Sequence, residues 1–125
     1  MNNIEHTLDM AANIKGAFAV AIVDYESGMT LGSRGGSAEF DLDVAAPGNS
    51  EVMRAKLDVM QKLGLRNETI EDILITLGKQ YHLIRLLKNS RDEQGLFMYL
   101  VLERQKANLA LARHNLKRIE NDLSV

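Results

Sequence analysis

From Ala17 to Tyr25 the chain reads AFAVAIVDY, with Phe18, Val20 and Ile22 on one alternating face and Ala17, Ala19, Ala21 and Val23 on the other. A strand that is apolar on both faces belongs inside a sheet, and its alanine face lets a helix approach closely. Ahead of it, Ile4, Leu8, Ala11, Ala12 and Ile14 recur at helical spacing. Asn2 with Glu5 forms a capping-box pattern and Lys15-Gly16 a stop, so a short first helix is expected. After the strand, Glu26-Ser27-Gly28 supplies a turn, and Met29 to Ser33 returns as a second strand.

The pattern weakens from Phe40 to Val44, and Pro47 suits a first helical turn because its missing N–H has no intrahelical partner there. A helix is therefore expected from about Pro47 to Leu63, stopped at Gly64. Its apolar positions Val52, Met53, Leu57, Val59, Met60 and Leu63 spread wider than one core-facing stripe requires, which suggests burial against a second body. Ile70 to Leu77 and Gln80 to Leu87 flank Gly78-Lys79 and predict a hairpin. Lys88 to Gln94 is polar and predicts a loop, Leu96 to Leu102 is a further apolar strand, and Lys106 to Leu123 is an amphipathic terminal helix. Short turns between neighbouring strands imply an antiparallel sheet that amphipathic helices must cover, an α+β domain.

The length of 125 residues fits one domain spanning 1–125. A content of 46% hydrophobic and 26% charged residues is that of a folded globular protein. The net charge of −2, with Lys and Arg interspersed among acids, leaves no basic excess for a phosphate backbone and argues against nucleic acid as a partner. The chain has no cysteine, so disulfides and thiolate metal sites are excluded. The start MNNIEHTLDM lacks the basic and apolar regions of a secretory signal, and no apolar run approaches a membrane span of about 20 residues. A cytoplasmic location is expected, which makes the sequon Asn67-Glu68-Thr69 a chance match.

Candidate chemistry is sparse. Glycines at 28, 32, 35 and 36 suggest a phosphate loop, but no lysine follows Gly36 before Lys56, and GxGxxG spacing with a following helix is missing. They read instead as a turn and the end of an edge strand. His6, His82 and His114 fall in different expected elements without metal-ligand spacing, so no metal and no cofactor is expected. Asp24 beside Tyr25 is placed to initiate a turn by accepting backbone N–H groups. With no converging nucleophile, base and orienting group, a non-enzymatic role is expected.

Taken together, GAFAVAIVDYESGMTLGS as first hairpin, GNSEVMRAKLDVMQKLGL as middle helix, IEDILITLGKQYHLIRLL as second hairpin and GLFMYLVLERQKANLALARHNLKRIE as last strand and helix resemble the Roadblock family. That family includes dynein light chains and bacterial GTPase-regulating proteins, and the resemblance covers about Ile4 to Leu123. It implies a five-stranded antiparallel sheet in order 2-1-5-4-3, flanked by three helices, with the middle helix on one face and the terminal helices on the other. It further implies a homodimer in which third strands pair and middle helices lie side by side, and a small Ras-like GTPase as partner. Pro47-Gly48 interrupts a stretch where a family helix starts earlier.

The residues bear on this dimer at two points. Ile73-Leu74-Ile75-Thr76-Leu77 has no proline or lysine to block edge pairing, and the middle helix is apolar over a broad arc. The expected dimer interface is Ile73, Ile75, Leu77, Val52, Leu57 and Met60, and the expected partner-binding cations are Arg54, Lys56 and Lys62. The alternative, a small-molecule-sensing regulatory domain, needs a polar-lined cavity, whereas the expected core is almost wholly Ala, Val, Ile, Leu and Met.

Overall fold

The computed structural model describes residues 3–65, 67–87 and 95–123. The element order is α1 (Asn3–Ala12), β1 (Ala17–Asp24), β2 (Met29–Gly35), α2 (Leu42–Lys62), β3 (Asp72–Thr76), β4 (Gln80–Leu86), β5 (Leu96–Glu103) and α3 (Leu109–Asp122). The strands form one antiparallel sheet in the order β2-β1-β5-β4-β3. This is the α+β architecture and strand order that the resemblance implies.

The pleat of β1 divides two apolar cores. Val20 and Ile22 pack with Leu8, Met98, Leu100, Leu116 and Ile119 beneath α1 and α3. Ala19, Ala21 and Val23 pack with Ala46, Met53, Phe97, Tyr99 and Val101 beneath α2. The small β1 side chains on that face leave room for α2, as their alternation predicts. Burying large apolar residues such as Phe97 and Met98 stabilises by roughly 1.5–3 kcal/mol each, and the central strands bury both faces. Gly32 serves the opposite layer, because a Cβ there would stand 2.6 Å from Leu8 Cδ1 of α1.

The middle helix departs from expectation at its start. It begins at Leu42, not near Pro47, and Pro47 lies inside it. Asp41 is the N-cap, its carboxylate accepting the Asp43 N–H at 2.9 Å. Leu42 and Ala46, one turn apart, are buried against the sheet, and that burial outweighs the hydrogen bond lost at proline. The other end follows the sequence: Gly64 takes φ +72, and Leu65 N–H donates to Met60 C=O at 3.0 Å, closing the last turn. The terminal helix begins at Leu109 because Asn108 caps it through the Leu111 N–H. The second strand extends to Gly35, taking in part of the glycine-rich tail. Asn2 of the expected capping box and the expected loop from Lys88 to Gln94 lie outside the described residues.

Charged pairs fix α3 to the sheet. Arg113 makes two hydrogen bonds to the Asp72 carboxylate at 3.0 Å each, and Arg85 Nε donates to Glu120 Oε1 at 2.9 Å with both side chains buried. Asp72 and Arg85 stand opposite each other across β3 and β4, so α3 is tied at both strands.

Candidate self-association and partner surface

Helix α2 carries two apolar rows. Leu42, Ala46, Ser50 and Met53 are buried, and Leu57 and Met60 continue that row half-buried. Val52, Val59 and Leu63 form a second row, about 100° around the helix from Met53 and Met60, and are 39%, 44% and 66% exposed. A helix that covers only its own sheet needs one such row. The breadth seen in the sequence is therefore real, and half of it faces outward.

The sheet has a matching vacancy of cover. Helix α2 packs over β1 and β2, while β3 is the last strand on the far side, with no strand beyond it among the described residues. Ile73 and Ile75 on β3 are only half-buried, packed against the same buried cluster as Leu57, Met60 and Leu86. A groove of about 420 Å³ lined by Leu57, Met60, Gln61, Leu65 and Glu68 continues this surface at the end of α2. No proline or lysine occurs in β3 to discourage pairing along its open edge.

Ile73, Ile75, Leu57 and Met60, expected at an interface, are thus brought into one apolar cluster. Val52 and Leu77 stand exposed, Val52 on α2 and Leu77 in the hairpin turn after β3. The three expected partner-binding cations differ from one another. Arg54 donates to the Tyr25 carbonyl, and Lys62 pairs with Asp58 one turn away at 3.0 Å. Lys56 is exposed and has no ion pair among the described residues.

Sequence reading missed the polar contacts of His82 within the sheet. Within α2, Asn49 Nδ2 donates to the Ala45 carbonyl at 2.9 Å. The Tyr99 hydroxyl lies 3.1 Å from His82 Nδ1, and His82 Nε2 lies 2.9 Å from Gln80 Oε1. Phe40 and Tyr99 both meet the His82 ring edge-to-face, at 5.8 and 5.5 Å between centroids. Burial lowers the His82 pKa from its ordinary 6.5, and burial raises that of Tyr99. In sequence, Tyr99 sits 17 residues from His82 inside an apolar run, so nothing local signals the pair.

The remaining singled-out residues have structural roles. Asp24 Oδ1 accepts the Glu26 and Ser27 N–H groups at 2.9 and 3.3 Å, which is the turn initiation its position predicts. His6 and His114 are exposed on α1 and α3. Gly28, Gly35 and Gly36 all take positive φ around β2, and the backbone there serves the sheet, with Gly36 N–H donating to Phe18 C=O at 3.0 Å. No helix among the described residues is long and apolar enough to cross a membrane.

No protein-family model and no curated protein matches the chain. Solved structures do. Myxococcus xanthus MglB is 15% identical with a TM-score of 0.79, covering 95% of this chain and 83% of its own. A Roadblock/LC7 domain from Streptomyces avermitilis is 8% identical with a TM-score of 0.71, covering 95% and 89%. An MglB with a tetrameric arrangement is 16% identical with a TM-score of 0.74, covering 98% and 88%. At these identities the likeness establishes the fold.

Proposed function

We propose that this chain, which has the Roadblock/LC7 fold, is a non-enzymatic homodimeric adaptor or regulator that binds a small Ras-like GTPase. The observation that carries the reading is that Ile73 and Ile75 on the open edge strand and Leu57 and Met60 on α2 are half-buried against one apolar cluster, while Val52, Val59 and Leu63 form an outward apolar row on α2. A twofold axis at the edge sets the same patch against itself, pairing β3 with β3 and α2 with α2. Both apolar surfaces are then covered by one operation. The similar MglB with a tetrameric arrangement supports self-association of this fold, and the GTPase is what the Roadblock resemblance implies. Of the proposed contact cations, Lys56 has neither an ion pair nor a hydrogen bond among the described residues, so it leads the partner-facing set.

Size-exclusion chromatography with light scattering tests the dimer. The expected mass is twice the 13.9 kDa of the chain, and Ile73→Lys is expected to give a folded monomer, because it places an ammonium group in the half-buried apolar patch of the edge strand. A wild-type protein that stays monomeric at high micromolar concentration sinks the dimer. Mixing with small Ras-like GTPases from the same cell, loaded with GTP or GDP, tests the partner: co-elution or altered GTP turnover is expected, and Lys56→Glu is expected to weaken it about tenfold. Failure of every such GTPase to bind removes the regulator reading and leaves the dimer standing.

A further inference from the structure

Helices α1 and α3 meet over a groove of about 200 Å³ on the face of the sheet opposite α2. Buried Ile14 and Ile119 and half-buried Met10 give it an apolar lining. Asn13, just past the end of α1, and Asn115 of α3 add two amides whose side chains have no hydrogen-bond partner among the described residues. Arg118 and Asp122 complete the lining with one charge of each sign, both exposed and neither in an ion pair among the described residues.

The two charges have a physical reason to stay apart. A base four residues before an acid is the weaker order for a pair on one helix face. Asp122 is also the last residue of α3, and no basic residue in the final turn offsets the carbonyls that end the helix. Its carboxylate adds negative charge to negative charge, and an ammonium group placed there relieves both. Arg118 stands one turn back, about 6 Å along the axis, with a guanidinium suited to a carboxylate. A ligand that carries both charges a few bonds apart serves both residues. The two Asn amides can then accept from its ammonium and donate to its carboxylate.

The same lining disfavours other classes of ligand. A polyphosphate or a dicarboxylate meets Asp122 with Arg118 alone to offset it, a metal ion finds a single carboxylate, and a sugar finds no aromatic ring to stack on. The groove is smaller than the roughly 300 Å³ at which sites for drug-sized ligands begin, so its occupant is a small molecule with an apolar tail. Met10 lets the floor adapt to tails of different shape.

We propose that the groove between α1 and α3 binds a free apolar α-amino acid, with its carboxylate on Arg118, its ammonium on Asp122 and its side chain on Met10, Ile14 and Ile119. The site shares no residue with the proposed dimer surface or the proposed partner-facing cations, so it stands whether or not those readings hold.

Titration with L-leucine, followed by two-dimensional amide NMR, tests the site through the side-chain signals of Asn13 and Asn115. Both are expected to shift and to saturate with a dissociation constant of about 1 mM or below. Arg118→Gln and Asp122→Asn, at exposed positions where the fold is expected to persist, are each expected to weaken binding about tenfold, the loss of one hydrogen-bonded charge. Isoamylamine, which is leucine without its carboxylate, and isocaproate, which is leucine without its ammonium, are expected to bind at least tenfold more weakly for the same reason. Signals that stay in place up to about 10 mM leucine overturn the proposal. So does binding that both substitutions leave unchanged, or a one-charge analogue that binds as tightly as leucine.

Discussion

Replacing Glu120 with leucine is expected to cost about 3–5 kcal/mol, the range for removing one member of a buried ion pair, and to lower the melting temperature by about 10–20 °C in a domain of this size. Arg85 lies on β4 with its side chain 6% exposed, and its Nε donates to Glu120 at 2.9 Å. Leucine fits the apolar surroundings of α3 well, since Leu116, Ile119 and Leu123 flank the site. The cost arises on the other side: the guanidinium stays buried without this carboxylate, and it cannot shed its charge. Arg85→Met is expected to cost less, because a carboxyl can take up a proton. The double variant Arg85→Met, Glu120→Leu is expected to recover most of the loss, as apolar replacements of similar volume often do. Urea unfolding of the two single variants and the double variant closes the cycle. A Glu120→Leu variant within 1 kcal/mol of wild type would show that the pair does not anchor α3.

That pair also marks where sequence reading stops. In LIRLL and KRIEND each charge interrupts an apolar row, a local sign of a buried ion, yet the partners are 35 residues apart on different elements. Only the register of α3 on β4 brings them together. The same holds for Arg113 and Asp72, 41 apart. What was legible depended on one element at a time: the two apolar faces of β1 placed it inside the sheet, the span from Ile70 to Leu87 gave the second hairpin, and the excess apolar width of α2 pointed to an outward row. The early start of α2 was hidden because Pro47 resembles an N1 residue more than Asp41 resembles a cap. The half-buried apolar patch was legible as residue types, through Ile73, Ile75, Leu57 and Met60, while the contact of Tyr99 with His82 needs the fold to exist.

The glycine-rich stretch supplies the second large effect. Gly35→Ala is expected to destabilise by about 2–5 kcal/mol, combining left-handed backbone strain of roughly 1–2 kcal/mol with an overpacking cost of roughly 1–3 kcal/mol. Gly35 has φ +81, and a Cβ there would stand 2.3 Å from the Phe18 carbonyl oxygen. That oxygen is main chain, already accepting the Gly36 N–H at 3.0 Å, so it cannot swing aside as the end of a flexible side chain would. Gly28 isolates the two contributions. Its φ is +80, nearly the same, but no atom lies within 4 Å of the added Cβ, so Gly28→Ala is expected to cost the backbone strain alone, roughly 1–2 kcal/mol. Denaturant unfolding of both variants measures the difference, which is the clash with Phe18. Equal losses would mean that β2 shifts away from β1 without penalty and that the close strand approach is incidental. Unequal losses would show that Gly35 is selected by the crossing of two backbones, with no phosphate needed to explain it.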